Sequence, residues 1–138
     1  MEFIFRSRVY FSDTDAGGIV YHARYLDYAE HARTEMLRTL LPSLSQKAMK
    51  ETSSMIFVVK GLTIDYEKPG YLDDEITVHT KVISVKHFST TLEQVITRGD
   101  DGDELCRIVV KAATIDSNSK KLMMIPTEVA STLLSSQG

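Results

Sequence analysis

The sequence has little of what covalent cross-linking or membrane insertion requires. It contains a single cysteine, Cys106, which cannot form an intrachain disulfide, so the disulfide framework of a small secreted domain is excluded. Cys106 lies in a strand-like pattern and is predicted to be a small core or interface residue. No apolar run approaches the ~18 residues of a membrane-spanning helix, and the first residues lack the apolar centre of a signal peptide. We therefore expect a soluble cytoplasmic protein without membrane insertion.

Positive charge is also scarce. With 16 basic and 19 acidic side chains the net charge is −3, so general binding to nucleic acid or to anionic membranes, which usually needs a basic surface, is not expected. Hydrophobic residues make up 43% of the chain, which is enough for a sizeable core. Because no internal repeat or linker is visible, residues 1–138 are predicted to form one domain.

The first part of the sequence predicts a strand followed by a long helix. The strand is expected from Phe3 to Phe11, where β-forming residues accumulate, and the helix roughly from His22 to Leu40. Apolar residues recur in this helix at helical spacing and predict one buried stripe, with Arg33 and the other charged residues mostly off that stripe. The stripe consists of Tyr25, Ala29, Ala32, Met36 and Leu40. Its small alanines favour close packing of the helix against a sheet.

The second part of the sequence predicts a series of strands. Apolar and polar residues alternate with period two in three runs from Leu62 onward, and the polar run Arg98–Asp103 predicts a hairpin loop. The run Leu105–Ile115 is apolar on both sides and predicts a central strand covered on both faces. Pro126–Leu134 predicts a short helix. The order indicates an α+β fold, in which one long helix covers one face of an antiparallel sheet of about five strands and an oligomer would cover its other face or its edge.

A polar segment with paired glycines joins the first strand to the helix. It reads Ser12-Asp13-Thr14-Asp15-Ala16-Gly17-Gly18, and adjacent glycines indicate positive φ angles or close approach of the backbone to a ligand. A calcium loop is rejected, because the fifth and twelfth positions of the EF-hand pattern hold Gly17 and Arg24. No HExxH or CxxC spacing occurs, so no metal site is expected.

The segment Val9–Tyr25 closely resembles the start of the hotdog-fold acyl-CoA thioesterases of the 4-hydroxybenzoyl-CoA thioesterase family. Within that family it is most similar to the YbgC-like branch, which is associated with the bacterial Tol-Pal envelope system. The continuation Glu30–Arg38 strengthens the match, and Phe57–Lys60 and Leu72–Asp74 support it. The resemblance implies a hotdog fold, in which a curved antiparallel sheet wraps a long helix. It also implies a homodimer or homotetramer with acyl-CoA bound at a subunit interface.

The resemblance assigns the chemistry to the polar segment and the helix start. Asp15 matches the family's catalytic carboxylate and would either attack the thioester directly or act as base on water, alternatives that the sequence leaves open. Gly17 and Gly18 would let the thioester carbonyl approach the helix N-terminus, where backbone amides near Tyr21 and His22 polarise it. The His22 side chain would orient the carboxylate or water, or shuttle a proton, unless it only bonds locally to the backbone.

The coenzyme A end of the substrate is expected to contact basic and polar side chains. Lys86, Ser89 and Lys60 fall at positions that fit nucleotide or pantetheine contacts in the family, although either lysine would equally suit a solvated surface. No cofactor is expected, since coenzyme A is part of the substrate, and the family suggests a link to acyl carrier protein. Phe11 departs from close relatives that carry tyrosine, and Tyr10 is predicted to point to the opposite face of the strand.

Two classes of function remain open at this point. The first is a thioesterase that uses Asp15, and the second is a non-catalytic acyl-CoA or acyl-carrier-protein binding or interaction protein on the same fold. The carboxylate beside Gly17 and Gly18 favours the first, because a binding protein has no need of a carboxylate aimed at the thioester carbon. A hotdog dehydratase is disfavoured, since its histidine–acid motif is absent.

Overall fold

The computed structural model describes residues 2–41 and 54–135, which form a strand, a long helix, four further strands and a short helix. The bounds are β1 Phe3–Arg8, α1 Arg24–Leu40, β2 Met55–Tyr66, β3 Glu75–Val85, β4 Ser89–Arg98, β5 Glu104–Asp116 and α2 Thr127–Ser135, with a 3₁₀ turn at Phe11–Asp13. The predicted order of elements is confirmed. Neither helix in the described part of the chain is long and apolar enough to cross a membrane.

The five strands form one open antiparallel sheet in the order β1-β3-β4-β5-β2. Its edges are therefore β1 and β2. The register shifts between Val59 and Gly61 in β2, and similar irregularities occur after Val82 where β3 pairs with β4 and after Ile96 where β4 pairs with β5. Because bulges bend strands and increase their twist, these three positions favour a sheet that curves around α1.

Helix α1 forms because apolar residues recur every three or four positions and no glycine or proline interrupts it. The predicted stripe is confirmed at its first four positions, whereas Leu40 is only half-buried. Tyr28 and Leu37 widen the buried face instead. Arg33 lies beside the stripe rather than in it, but it is half-buried, and its Nη1 donates to Gln94 Oε1 at 2.9 Å.

The core consists of two apolar clusters along α1. The first contains Tyr25, Ala29 and Ala32 from α1 together with residues of β3, β4 and β5, and the second contains Met36 and Leu37 together with residues of α2. Cys106 belongs to the first cluster, where it is fully buried. Burial raises the pKa of its thiol to about 12, so the thiol stays neutral and unreactive, and its prediction as a core residue is confirmed.

The face of the sheet opposite α1 is charged rather than apolar. It carries the ion pairs Arg6–Asp100 at 2.8 Å and Arg107–Glu93 at 3.1 Å. Val109 of β5 points to this face and is 40% exposed. Within one copy of the chain β5 is therefore covered on one face only, and cover of the other face by another copy stays a prediction.

Strand β1 ends at Arg8, earlier than predicted. The Val9 N–H donates to the Asp74 carbonyl at 2.9 Å, and the chain then enters the 3₁₀ turn. Tyr10 and Phe11 are 66% and 81% exposed. The prediction that Tyr10 points to the far face of a strand is wrong, because neither residue lies in one.

Candidate active site

The loop between β1 and α1 holds the Asp15 carboxylate in an exposed tight turn. The Asp15 N–H donates to the Ile19 carbonyl at 2.9 Å, and the Gly18 N–H donates to the Asp15 carbonyl at 3.0 Å. The Gly17 N–H donates to the carboxylate itself, at 2.8 Å from Oδ1. The turn fixes the backbone of Asp15 on both sides and leaves the remaining lone pairs of the carboxylate to solvent or a ligand.

The two glycines of this turn are needed for different reasons. Gly18 has a φ of 80°, in the left-handed region that other residues adopt at a cost. At Gly17 a Cβ would lie 3.1 Å from Asp15 Oδ1, so any side chain there would press on the carboxylate. The predicted positive φ is confirmed for Gly18, and the close approach at Gly17 is to the Asp15 side chain.

Asp13 anchors the loop through its side chain and its backbone carbonyl. Its Oδ2 accepts the Tyr10 N–H at 2.9 Å, and its carbonyl accepts the Tyr21 N–H at 2.9 Å. Its Oδ1 lies 3.4 Å from Arg24 Nε, and the side chain is 13% exposed. Asp13 thus ties the start of the loop to the start of α1.

Two buried polar groups of α1 surround the Asp13 carboxylate. Arg24 Nε and the Tyr28 hydroxyl are buried, and neither completes a well-formed hydrogen bond within the described residues. Burial, followed by the neighbouring Asp13, raises the pKa of Tyr28. Arg24 is held by its outer nitrogens, which donate to Asp27 Oδ2 at 2.9 Å and to the Ser12 carbonyl at 3.3 Å. The resulting cluster neutralises Asp13 and seats the loop on the helix.

The start of α1 presents backbone donors without a side-chain cap. The Tyr21 N–H is already engaged by Asp13, so the prediction that it polarises a ligand carbonyl does not fit this structure. The N–H groups of His22 and Ala23 have no hydrogen-bond partner in the described part of the chain, and Ala23 supplies no side-chain cap. Free donors and the positive end of the helix dipole make this a favourable place for a developing negative charge.

His22 contributes its backbone to the fold and leaves its ring exposed. Its carbonyl accepts the Tyr66 hydroxyl at 2.7 Å, which fixes β2 against the helix start. Its ring lies 4.5 Å from that of Tyr21, centroid to centroid. Among the described residues, no hydrogen bond or ion pair joins the imidazole to Asp15, so the predicted orienting role stays a prediction.

The residues predicted to contact coenzyme A lie away from Asp15 in the same chain. Lys86 and Ser89 form the β3–β4 turn, where the Lys86 N–H donates to the Ser89 carbonyl at 2.8 Å. The Asp15 loop is tied to the other end of β3, which begins at Glu75, and the length of that strand separates the two by roughly 30 Å. Lys60 is exposed near the middle of the edge strand β2. One copy of the chain does not bring the three together with Asp15.

Residues 9–133 match the thioesterase-like superfamily. The chain belongs to this superfamily. An acyl-CoA thioesterase YbgC of Haemophilus influenzae is 45% identical over 127 residues, covering 92% of the chain and 90% of the relative. An acyl-CoA thioester hydrolase YbgC of Escherichia coli O6:H1 is 42% identical over 94 residues, 68% of each chain. The resemblance noted in the sequence is confirmed.

The fold of this thioesterase-like chain is also shared with solved structures. The crystal structure of a probable thioesterase from Bartonella henselae superposes with a TM-score of 0.83 at 29% identity, covering 91% of this chain and all of that one. The predicted hotdog fold and the prediction that the chain is a hydrolase are both confirmed.

No group of three or more metal-ligating side chains occurs within residues 2–41 and 54–135.

Sequence reasoning missed the cluster of Asp13, Arg24 and Tyr28 in this thioesterase-like loop. A signal was present, because Arg24 and Tyr28 are four residues apart and so lie on one face of the helix. A polar pair at that spacing in the first turns of α1, next to an otherwise buried stripe, indicates a partner of opposite charge. The first aspartate of the Asp-Thr-Asp motif is that partner.

Proposed function

We propose that the chain hydrolyses acyl-CoA thioesters, with Asp15 as the catalytic carboxylate. Water adds to the acyl carbon, the carbon–sulfur bond breaks, and the products are a carboxylic acid and the coenzyme A thiol. The observation that carries the proposal is the exposed Asp15 carboxylate, held in a hydrogen-bonded turn of the loop that leads into the uncapped start of α1. The names of the YbgC relatives support the substrate class.

The Asp15 carboxylate and the start of α1 would have different roles in the reaction. Asp15 would either attack the thioester carbon to form a mixed anhydride, which water then cleaves, or deprotonate the attacking water. The His22 N–H, with that of Ala23 behind it, would donate to the oxyanion in place of the Tyr21 N–H. One such donor can contribute ~10²–10³ in rate. The His22 ring would serve as a proton shuttle at the open side of the site.

The active site would be shared between two copies of the chain. Lys86 and Ser89 lie at the end of the sheet opposite Asp15, and β2 is a free edge strand with Lys60 exposed on it. A second copy paired along β2 in antiparallel orientation would bring the Lys86 turn of one protomer towards the Asp15 loop of its partner. A homodimer, alone or within a homotetramer, follows from this arrangement. The cytoplasmic location and the links to acyl carrier protein and the Tol-Pal system stay predictions.

The test is thiol release from a panel of acyl-CoAs by the native protein, Asp15→Asn and Asp101→Asn. Asp101 is an exposed aspartate in the β4–β5 hairpin and serves as the matched control. We expect Asp15→Asn to lose at least about 10²-fold in kcat, the scale of a general base, and Asp101→Asn to lose nothing. Undiminished turnover in Asp15→Asn would place the chemistry on another residue.

Two further outcomes separate the alternatives. A native protein that binds acyl-CoA without turnover would favour the non-catalytic acyl-CoA or acyl-carrier-protein binder. In a single turnover in oxygen-18 water, label found in the Asp15 carboxylate would require the mixed anhydride. Label found only in the released acid is expected of a general base and equally of an anhydride that water cleaves at the acyl carbon, so only label in Asp15 decides between the two.

A further inference from the structure

A cavity lies between the second half of α1 and the first half of β2, beyond the residues of the proposed chemistry. Its volume is about 200 Å³. Its apolar walls are Met36, Leu37, Phe57, Leu92 and Leu133. A dry cavity of ~150 Å³ is enough to bind benzene, so this one has room for a ring or a segment of alkyl chain.

The lining of this cavity contains a buried hydroxyl without a partner. Thr90 is 3% exposed, and its Oγ1 forms no hydrogen bond within the described residues. Buried hydroxyls are rarely left in this state, because the lost hydration is not repaid. The Thr90 side chain lines the cavity, and a turn about its Cα–Cβ bond would offer this hydroxyl to a ligand oxygen.

A guanidinium with unused donors lines the same cavity. Arg33 Nη1 donates to Gln94 Oε1 at 2.9 Å, and Gln94 is itself fixed because its Nε2 donates to the Ala29 carbonyl at 2.9 Å. No ion pair joins Arg33 to a carboxylate in residues 2–41 and 54–135, and burial lowers its pKa. Glu30 is exposed at the rim and only partly offsets this charge. A guanidinium has five N–H donors, so most of them remain for a ligand.

We propose that this cavity binds the far end of the acyl group and selects acyl groups that end in a carboxylate. The inference rests on the proposed thioesterase function. Arg33 would bind the terminal carboxylate through two parallel hydrogen bonds, Thr90 would donate to it, and the apolar walls would cover the methylene chain. A methyl end of the same length would leave both polar groups unpaired against hydrocarbon.

The position of Arg33 ties this selection to chain length. Arg33 lies about 14 Å along α1 from Arg24, at 1.5 Å per residue. An acyl group reaches Arg33 only if its length matches the distance from the reacting thioester carbon to the guanidinium. The Arg33 in question belongs either to the protomer that supplies Asp15 or to its partner. The preference for a carboxylate end is therefore expected to peak at one chain length and to vanish for shorter chains.

The first experiment measures kcat/KM for pairs of acyl-CoAs of equal length, one methyl-ended and one carboxyl-ended, across a range of lengths. The native protein is expected to favour the carboxyl-ended member by about tenfold or more at the best length, the scale of one charge-assisted pair. Arg33→Met should abolish this preference. Arg38→Met, an exposed arginine of the same helix paired with Glu35, should retain it. If Arg33→Met fails to fold, Thr90→Val, which keeps the shape of the side chain, should reduce the preference severalfold.

The second experiment separates the cavity from the chemistry. Calorimetry compares binding of a free medium-chain monocarboxylate with that of the primary alcohol of equal length, in the native protein and in Arg33→Met. If no acyl-CoA is hydrolysed but the carboxylate binds more tightly in an Arg33-dependent way, the cavity assignment stands and the thioesterase proposal falls. Hydrolysis with no end-group preference, together with binding that ignores Arg33, would overturn the assignment.

Discussion

The two aspartates of the loop before α1 are only two residues apart, yet their surroundings are opposite. Asp13 is largely buried, accepts the Tyr10 N–H, and lies beside Arg24 and Tyr28. The Asp15 carboxylate is exposed and, within the described residues, accepts a single hydrogen bond, from the Gly17 N–H. The Asp13 carboxylate is engaged in interactions that hold the loop. The Asp15 carboxylate is positioned by the loop and can still accept hydrogen bonds from a ligand.

The comparison separates anchoring from chemistry within a single motif. A reacting carboxylate works best when its position is fixed before the substrate binds, because no reorganisation is then needed during the reaction. Asp13 holds the loop without occupying the position proposed to react. Under this proposal the motif uses both aspartates, in different environments.

The largest expected effect comes from replacing each of the two aspartates in turn. Asp13→Asn should lower the free energy of unfolding by about 1.5–3 kcal/mol, because it removes a charged acceptor beside Arg24. Asp15→Asn should change the free energy of unfolding by less than about 0.5 kcal/mol, which is the usual range for surface substitutions. Urea denaturation of both variants measures the difference. Equal losses would remove the distinction between an anchoring and a catalytic aspartate.

The next effect probes the tyrosines beneath the loop. The Tyr25 hydroxyl accepts the Gly70 N–H at 3.0 Å, whereas the Tyr28 hydroxyl has no well-formed hydrogen bond in the described structure. Tyr25→Phe should therefore cost about 1–3 kcal/mol, because it strands a buried N–H, and Tyr28→Phe should be nearly neutral. Thermal unfolding of the pair tests this. A large loss in Tyr28→Phe would show that its hydroxyl does bond to Asp13.

Most of the helix stripe and the succession of strands and helices along the chain could be predicted from the sequence, because they depend on periodicity. Asp15 was found through the family motif, since nothing local distinguishes it from Asp13. The engagement of the Tyr21 N–H by Asp13 could not be predicted, because it depends on how the loop folds back onto the helix. The hydrogen bond of Arg33 could not be predicted for a similar reason, since its partner Gln94 is far along the chain and only the sheet brings them together.

A smaller effect concerns the backbone of the exposed turn. Gly18→Ala should cost about 1 kcal/mol, because alanine must adopt the φ of 80° that glycine adopts freely. Gly61→Ala is the matched control, since a Cβ there meets open space. Denaturation measures both, and a neutral Gly18→Ala would mean that the turn is not held as described. Activity in Gly18→Ala should fall as well if the turn positions Asp15.

The smallest effect uses Asp100, which is bonded like Asp13 but exposed like Asp15. Hydrogen bonds from Arg6, and then from Thr77, lower the pKa of Asp100 to about 2. A carboxyl with a depressed pKa in the folded state contributes stability above its ordinary pKa and loses it as pH falls through the folded value. The stability difference between native protein and Asp100→Asn should therefore shrink from about pH 4 to about pH 2. Asp101→Asn should show no such change. If the stability difference between native protein and Asp100→Asn does not depend on pH, hydrogen bonding at an exposed carboxylate does not stabilise the fold. Burial would then be the property that distinguishes Asp13.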